Sequence, residues 1–149
     1  MTNNDYLRSI RYILNVGDAK LVEILALADC VVSKEDIVSF LKKEEEEGYV
    51  ECPDRVMGHF LNGVVLFKRG KDESRPVPPA ELHITNNVVL KKIRVAFELK
   101  DSDIATIIEK SGLKVSKAEL GAFFRKADHR NYRECGDQFL RNLLKGLAL

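Results

Sequence analysis

The chain has 149 residues, 45% of them hydrophobic, and its 24 basic and 23 acidic residues leave a formal net charge of +1. This composition suffices for a buried core, while no apolar segment approaches the roughly 18 residues that span a bilayer, and the N-terminus does not resemble a signal peptide. Three cysteines, an odd number, favour free thiols in a reducing compartment over a disulfide framework. We therefore expect a cytoplasmic protein with no membrane partner.

The second half of the chain aligns with the first half without a gap when Tyr132 is placed on Tyr49. TNN at 2–4 falls on TNN at 85–87, and the pattern Tyr-x-Glu-Cys-x-Asp at 49–54 falls on its copy at 132–137. Over the 63 positions from Thr2 to Val64, 19 residues are identical, against about 4 expected for unrelated sequences of ordinary composition. The chain is therefore an internal duplication.

The segment between the copies is rich in proline. Pro76, Pro78 and Pro79 disfavour helix and favour an extended, semi-rigid connector. The predicted organisation is a first helical repeat at 1–69, a linker at 70–84 and a second helical repeat at 85–149.

The first two helices of each repeat are predicted from apolar spacing. Apolar residues recur at i, i+3 and i+7 between residues 7 and 14, so they share one face of a helix that Asn3 or Asn4 can cap. Asp18 and, in the second copy, Asp101 can cap the helix that follows.

The third and fourth helices have clearer start signals. Ser33 and Ser116 each stand three residues before an acidic residue, as in a capping box. Pro53 suits the first position of a fourth helix, which has an apolar stripe in both copies. Gly63 and Gly146, unfavourable inside a helix, indicate that another helix packs closely there. The predicted fold is all-α, with two tandem pseudo-symmetric four-helix repeats joined by a Pro-containing linker.

The repeated Tyr-x-Glu-Cys-x-Asp pattern is either a reactive site or a structural joint. A helix N-terminus can lower a thiol pKa, but the flanking carboxylates oppose a thiolate and no histidine recurs beside the cysteines. We interpret the pattern as structural, with tyrosine and cysteine pointing into the core and the acidic residues meeting exposed helix amides. Its members are Tyr49, Glu51, Cys52, Asp54, Tyr132, Glu134, Cys135 and Asp137.

The combined motifs resemble a known family. TNN-x-x-L-x-x-I-R, the Val-Ser-Lys start of the third helix, Tyr-x-Glu-Cys-x-Asp and the closing DQFLRNLLKGL are similar to the YehS-like family of small bacterial proteins built from a duplicated domain of unknown function. The resemblance covers essentially the whole chain. It implies a bacterial, cytoplasmic, two-repeat protein, and it brings no activity, substrate or catalytic residue.

Catalytic and cofactor motifs are not found. There is no CxxC, HExxH or glycine-rich phosphate loop, so we predict no catalytic residue, no metal and no cofactor. Residues 101–126 have the general layout of a helix-turn-helix, but the equivalent third helix of the first copy is too acidic to enter a DNA groove.

Charge is distributed unequally between the copies. Residues 1–70 have 9 basic and 12 acidic side chains, whereas residues 85–149 have 13 and 8. The contrast is sharpest in one loop, which reads KKEEEEGYVE at 42–51 and RKADHRNYRE at 125–134. The candidate binding residues are those of the basic loop with two cations nearby: Arg125, Lys126, His129, Arg130, Tyr132, Arg133, Arg141 and Lys145.

Two functions fit this contrast. The first is a non-catalytic helical binding or regulatory module that engages a protein partner or forms a homo-oligomer through complementary charges. The second is binding of RNA or DNA, with the basic loop on phosphates and His129 or Tyr132 stacked on a base. We favour the first, and solvated loops without a partner are the simplest alternative to both.

Overall fold

The computed structural model describes residues 1–149. It contains eight α-helices and no strand. The helices are α1 (Asn3–Leu14), α2 (Asp18–Leu27), α3 (Lys34–Leu41), α4 (Asp54–Arg69), α5 (Asn86–Ala96), α6 (Asp101–Lys110), α7 (Lys117–Phe123) and α8 (Asp137–Leu147). The prediction of an all-α fold with four helices per repeat is confirmed. None of these helices has the combination of length and apolar composition that a membrane-spanning segment requires.

Threonine, and not asparagine, caps the first helix of each repeat. The hydroxyl of Thr2 accepts a hydrogen bond from the Asp5 amide at 3.1 Å, and that of Thr85 accepts one from the Val88 amide at 3.2 Å. The prediction of an Asn3 or Asn4 cap was wrong, because these asparagines follow the cap inside the first turn and their side chains bond to residues outside α1.

Three other predicted helix starts differ by one residue. Asp18 and Asp101 are the first residues of α2 and α6 rather than their caps, and they form ion pairs with Arg11 and Arg94 of the preceding helix. Pro53 is the cap residue of α4 and not its first helical residue. The predicted serine caps are confirmed, since the hydroxyls before α3 and α7 each accept an amide hydrogen bond at 3.0 Å.

The two repeats exchange contacts and share one core. Within each repeat the second helix packs on the fourth, α2 on α4 and α6 on α8. Between repeats, α4 packs on α5 and α8 packs on α1. The alignment of the two copies interconverts these last two pairs, so the arrangement is pseudo-twofold. A single cluster of 28 buried residues draws side chains from both copies.

Two equivalent glycines allow the close packing that the sequence predicts. A Cβ on Gly63 would overlap the carbonyl oxygen of Ile24, and a Cβ on Gly146 would overlap Cγ2 of Ile107. Ile24 and Ile107 are themselves equivalent positions, so the same helix contact occurs in both repeats. Because glycine has no side chain, the fourth helix of each repeat can pack closely against the second.

The linker lies against the α4/α5 groove, formed by Gly58, Asn62 and Lys92. The Asn62 amide donates hydrogen bonds to the carbonyls of Pro78 at 3.2 Å and Pro79 at 3.3 Å. Lys92 Nζ donates to Asn62 Oδ1 at 2.8 Å. The extended segment that joins the repeats is therefore also packed on the surface between them.

Candidate functional site

A buried asparagine connects the two motifs of the first repeat. Asn4 is 1% exposed, and its amide donates to the carbonyls of Phe40 and Val50, both at 2.9 Å. Its oxygen accepts a hydrogen bond from the Cys52 amide at 3.0 Å. We call these residues, with Asn3 and Asp54, the first clamp. It ties α1 to the end of α3 and to the segment that enters α4.

The second clamp consists of the equivalent residues. Asn87 donates to the carbonyls of Phe123 at 3.0 Å and Arg133 at 2.8 Å, and it accepts from the Cys135 amide at 2.9 Å. Asn86 and Asp137 complete it. Each of these three distances nearly equals its counterpart in the first clamp, so the duplication preserves the geometry as well as the residue types.

The neighbouring asparagine holds the acidic residue of each motif. Asn3 donates to the Cys52 carbonyl at 3.0 Å and to Asp54 Oδ1 at 2.7 Å. Asn86 makes the same two bonds, to the Cys135 carbonyl at 2.9 Å and to Asp137 Oδ1 at 2.7 Å. TNN and Tyr-x-Glu-Cys-x-Asp are therefore the two halves of one hydrogen-bond network.

Part of the role predicted for the Tyr-x-Glu-Cys-x-Asp motif was wrong. Tyr49 and Tyr132 are only half-buried and do not belong to the core, while Glu51 and Glu134 are exposed and make no hydrogen bond. The aspartates accept bonds from asparagine side chains and not from helix amides. Asn3 and Asn86 reach these aspartates from the first helix of each repeat and place an amide N–H 2.7 Å from each carboxylate.

The two motif thiols are buried and protonated at neutral pH. Cys52 is 2% exposed and Cys135 is 4% exposed. Burial raises the pKa of each thiol to about 12, and the negative charges of Asp54 and Asp137 act in the same direction. All three cysteines are free, and no group of three or more His, Cys, Asp or Glu side chains is arranged to hold a metal ion.

The second clamp has support from the other repeat that the first clamp lacks. The Tyr6 hydroxyl donates to Asn86 Oδ1, and the Met1 ammonium lies 2.9 Å from Asp137 Oδ2. Hydrogen bonds from Asn86 and from this ammonium lower the pKa of Asp137. The equivalent of Tyr6 is Val89, which cannot form such a bond. The second clamp is thus bonded to residues of the first repeat, whereas the first clamp has no equivalent bond to the second repeat.

The structure divides the predicted binding residues between two surfaces. Six of them lie in the exposed loop between α7 and α8, where Arg133 pairs with Glu119 at 3.7 Å and Arg125 Nη1 lies 3.4 Å from His129 Nε2. The other two, Arg141 and Lys145, line a groove between α1 and α8, and none of the six loop residues does.

The α1/α8 groove has a volume of about 640 Å³. Its lining includes Asp5, Arg8, Tyr12, Arg141, Leu144 and Lys145. Arg8 is engaged by Asp5 and by the Lys42 carbonyl, whereas Arg141 and Lys145 form no salt bridge. The Tyr12 side chain is 74% exposed, and Leu144 lies in the buried floor. The groove therefore combines two available cations with an aromatic and an aliphatic surface.

The sequence interpretation missed the side of this groove that α1 contributes. Asp5, Arg8 and Tyr12 are spaced i, i+3 and i+7, so a polar stripe opposite the apolar one could have been recognised. The pattern alone could not place that stripe beside α8, because the contact joins opposite ends of the chain.

Comparison with known proteins agrees with the internal duplication. A family model described as a protein of unknown function, DUF1456, matches residues 3–70 and again residues 86–149. The chain belongs to this family. It is also similar to the uncharacterized protein YehS of Escherichia coli strain K12, with 52% identity over 148 residues that cover 99% of this chain and 95% of that protein. No solved structure matches the chain. The resemblance expected from the motifs is confirmed.

Proposed function

We propose that this protein is a non-catalytic binding module of the cytoplasm that engages a protein partner through the α1/α8 groove. The observation that carries the proposal is the groove itself, where the exposed Arg141 and Lys145 form no salt bridge and lie beside the exposed Tyr12. Tyrosine and arginine are enriched at the centres of protein interfaces, because they combine apolar area with directional hydrogen bonding.

The clamps support a structural role for the repeated motif. Their thiols are protonated and buried, and their aspartates are held by asparagine. The cysteine and aspartate side chains of the motif are thus used within the fold, whereas Tyr12, Arg141 and Lys145 are exposed in the groove. The groove and the basic loop therefore both offer exposed cationic side chains to a partner.

Site-specific photo-crosslinking in cells tests the proposal. A photoreactive amino acid replaces Tyr12 in one variant and Val95, the equivalent exposed position on α5, in a matched control. We expect a discrete protein adduct from position 12 that is lost on adding Arg141→Glu and Lys145→Glu, and none from position 95. Identical adducts from both positions, or none from position 12, would contradict the proposal. An adduct of twice the chain mass would identify the partner as a second copy.

The basic loop favours a second candidate function, binding of RNA or DNA. Its main chain is held in place because Arg133 donates to the Ala122 carbonyl at 3.2 Å and accepts from Asn87. The loop therefore presents the exposed Arg125, Lys126 and Arg130 from a fixed backbone. Fluorescence anisotropy with labelled single-stranded RNA and duplex DNA at several salt concentrations tests it. Salt-dependent binding that is lost with Arg130→Glu and Arg133→Glu would support this function, and no binding at low salt would exclude it.

A further inference from the structure

We infer that the α1/α8 groove binds an extended, proline-containing acidic segment of its protein partner, much as the α4/α5 groove holds the linker of its own chain. This inference rests on the proposed protein-binding function. The alignment of the two copies converts α4 and α5 into α8 and α1, so the two grooves occupy pseudo-symmetric positions in the fold. One is covered from within the chain and the other is open.

The covered groove shows how the fold holds an extended chain. Asn62 donates to two consecutive prolyl carbonyls, those of Pro78 and Pro79. Gly58 then admits the main chain so closely that a Cβ at this position would overlap the Glu81 carbonyl oxygen. A proline-rich segment suits such a site, because it is already extended and loses little conformational entropy when it docks.

Charge also contributes in the covered groove. Lys92 lies beside Asn62 and is half-buried. Burial lowers the pKa of Lys92, and the negative charge of Glu81 acts in the opposite direction. The linker thus places a carboxylate near a groove cation, shortly after its two adjacent prolines.

The open groove lies between the equivalent pair of helices but has different side chains, with cations at the positions of Gly58 and Asn62 and with Ser9 at that of Lys92. Lys145 stands at the position of Asn62, Arg141 at that of Gly58, and Tyr12 at that of Val95. Lys145 can donate to a carbonyl as Asn62 does, or to a carboxylate. The Arg141 side chain prevents the close main-chain approach seen at Gly58 and instead offers a forked donor for a carboxylate. Tyr12 supplies an aromatic face for a proline ring, as grooves that bind proline-rich peptides do.

Titration of the full chain with labelled peptides tests the inference. The probe is a fluorescein-labelled, end-blocked peptide with a VPPEEL core, and anisotropy reports binding. One control peptide replaces both glutamates with glutamine, and another replaces both prolines with glycine. We expect each control to bind at least about tenfold more weakly than the probe, because one loses the carboxylates and the other the preformed extended backbone. Equal binding of the probe and either control would overturn the inference.

Protein variants locate the binding site. Arg141→Glu and Lys145→Glu should each weaken binding of the probe at least about tenfold, whereas Lys34→Glu, an equal charge change at an exposed position outside the groove, should leave it unchanged. Asn62→Ala should also leave it unchanged. Loss of binding in Asn62→Ala would show that the peptide displaces the linker from the α4/α5 groove, and equal losses in all the charge variants would show non-specific attraction. Either result would overturn the inference.

The crosslinking and peptide experiments fail in distinguishable ways. A protein adduct at position 12 together with no preference for the probe would overturn only the peptide class and leave the proposed function standing. Neither adduct nor peptide binding would overturn both. If a labelled oligonucleotide binds as tightly as the probe, and the same groove variants abolish its binding, the ligand of the groove is a nucleic acid. That result would overturn the inference.

Discussion

The α4/α5 groove and the α1/α8 groove are related by the duplication, but the linker covers only the first. The clamps of the two repeats make the same asparagine hydrogen bonds. In the grooves, by contrast, Gly58, Asn62 and Val95 are equivalent to Arg141, Lys145 and Tyr12. The comparison separates residues that hold the helices together from residues free to diversify. A duplicated fold can therefore use one copy of a surface internally and leave the other for a partner.

The largest expected effect comes from removing a clamp asparagine. Asn4→Ala or Asn87→Ala deletes three hydrogen bonds and leaves two carbonyls and one amide without partners in or near the core. We expect a loss of about 3 kcal/mol or more in the free energy of unfolding, measured by urea denaturation followed by circular dichroism. Asn131→Ala, on the surface, is the control. A loss below about 1 kcal/mol at both clamps would show that they are not essential to the fold.

The two close-packed glycines should respond unequally. Gly63→Ala places a methyl group against the Ile24 carbonyl, which is fixed in a helix, and we expect a loss of about 2 kcal/mol in the free energy of unfolding. At Gly146 the obstacle is the Ile107 side chain, which can shift. The better helix propensity of alanine, worth about 1 kcal/mol, then offsets most of the cost of Gly146→Ala. Equal changes measured by urea denaturation would contradict this difference between the repeats.

Both motif thiols should make stability depend on alkaline pH. The pKa of Cys52 and of Cys135 is raised to about 12 in the folded protein, above the value of 9.0 for a free thiol. A raised folded-state pKa stabilises the protein below the unfolded-state pKa, and this contribution decreases as pH rises from about 9 towards 12.

The urea midpoint of the wild-type chain should accordingly fall above about pH 9, and less steeply in a Cys52→Ala, Cys135→Ala double variant. Iodoacetamide should modify these thiols slowly at neutral pH without urea and quickly in urea. Rapid modification of both in the native protein would contradict the buried, protonated state.

The smallest expected effect concerns the asymmetric contact between repeats. Tyr6→Phe removes the hydroxyl that donates to Asn86 and keeps the ring, so we expect a loss of about 1 kcal/mol in the free energy of unfolding. The matched control is Tyr12→Phe, at the exposed groove tyrosine, which should not change stability. If the two variants unfold at the same urea concentration, the Tyr6 hydroxyl does not couple the repeats.

Much of the fold was predictable, because its signals are local. Apolar spacing placed all eight helices, and the serine caps and the packing role of Gly63 and Gly146 were correctly predicted. The asparagines of TNN were assigned as caps because that is their commonest role near a helix start. The presence of both asparagines in each copy indicated a role beyond capping. The sequence could not show which residues they bond to.

The candidate site was predictable only in part. Arg141 and Lys145 were recognised as cations near the basic loop, but they line a different surface from that loop. Tyr12 and Arg8 were missed because their importance depends on which helix lies beside α1. Charge in the sequence indicated where the copies differ, without showing which cations share a groove.

The amino-acid sequence by itself determined the duplication, the helices and the extended linker, since these follow from repeat identity, apolar periodicity and proline content. Only the tertiary structure decided that TNN binds the distant Tyr-x-Glu-Cys-x-Asp turn, that α1 pairs with α8, and that the linker covers one of two equivalent grooves. These contacts join residues that are far apart in the chain. They depend on the shapes and hydrogen-bonding groups of side chains on different helices, which local sequence patterns do not specify.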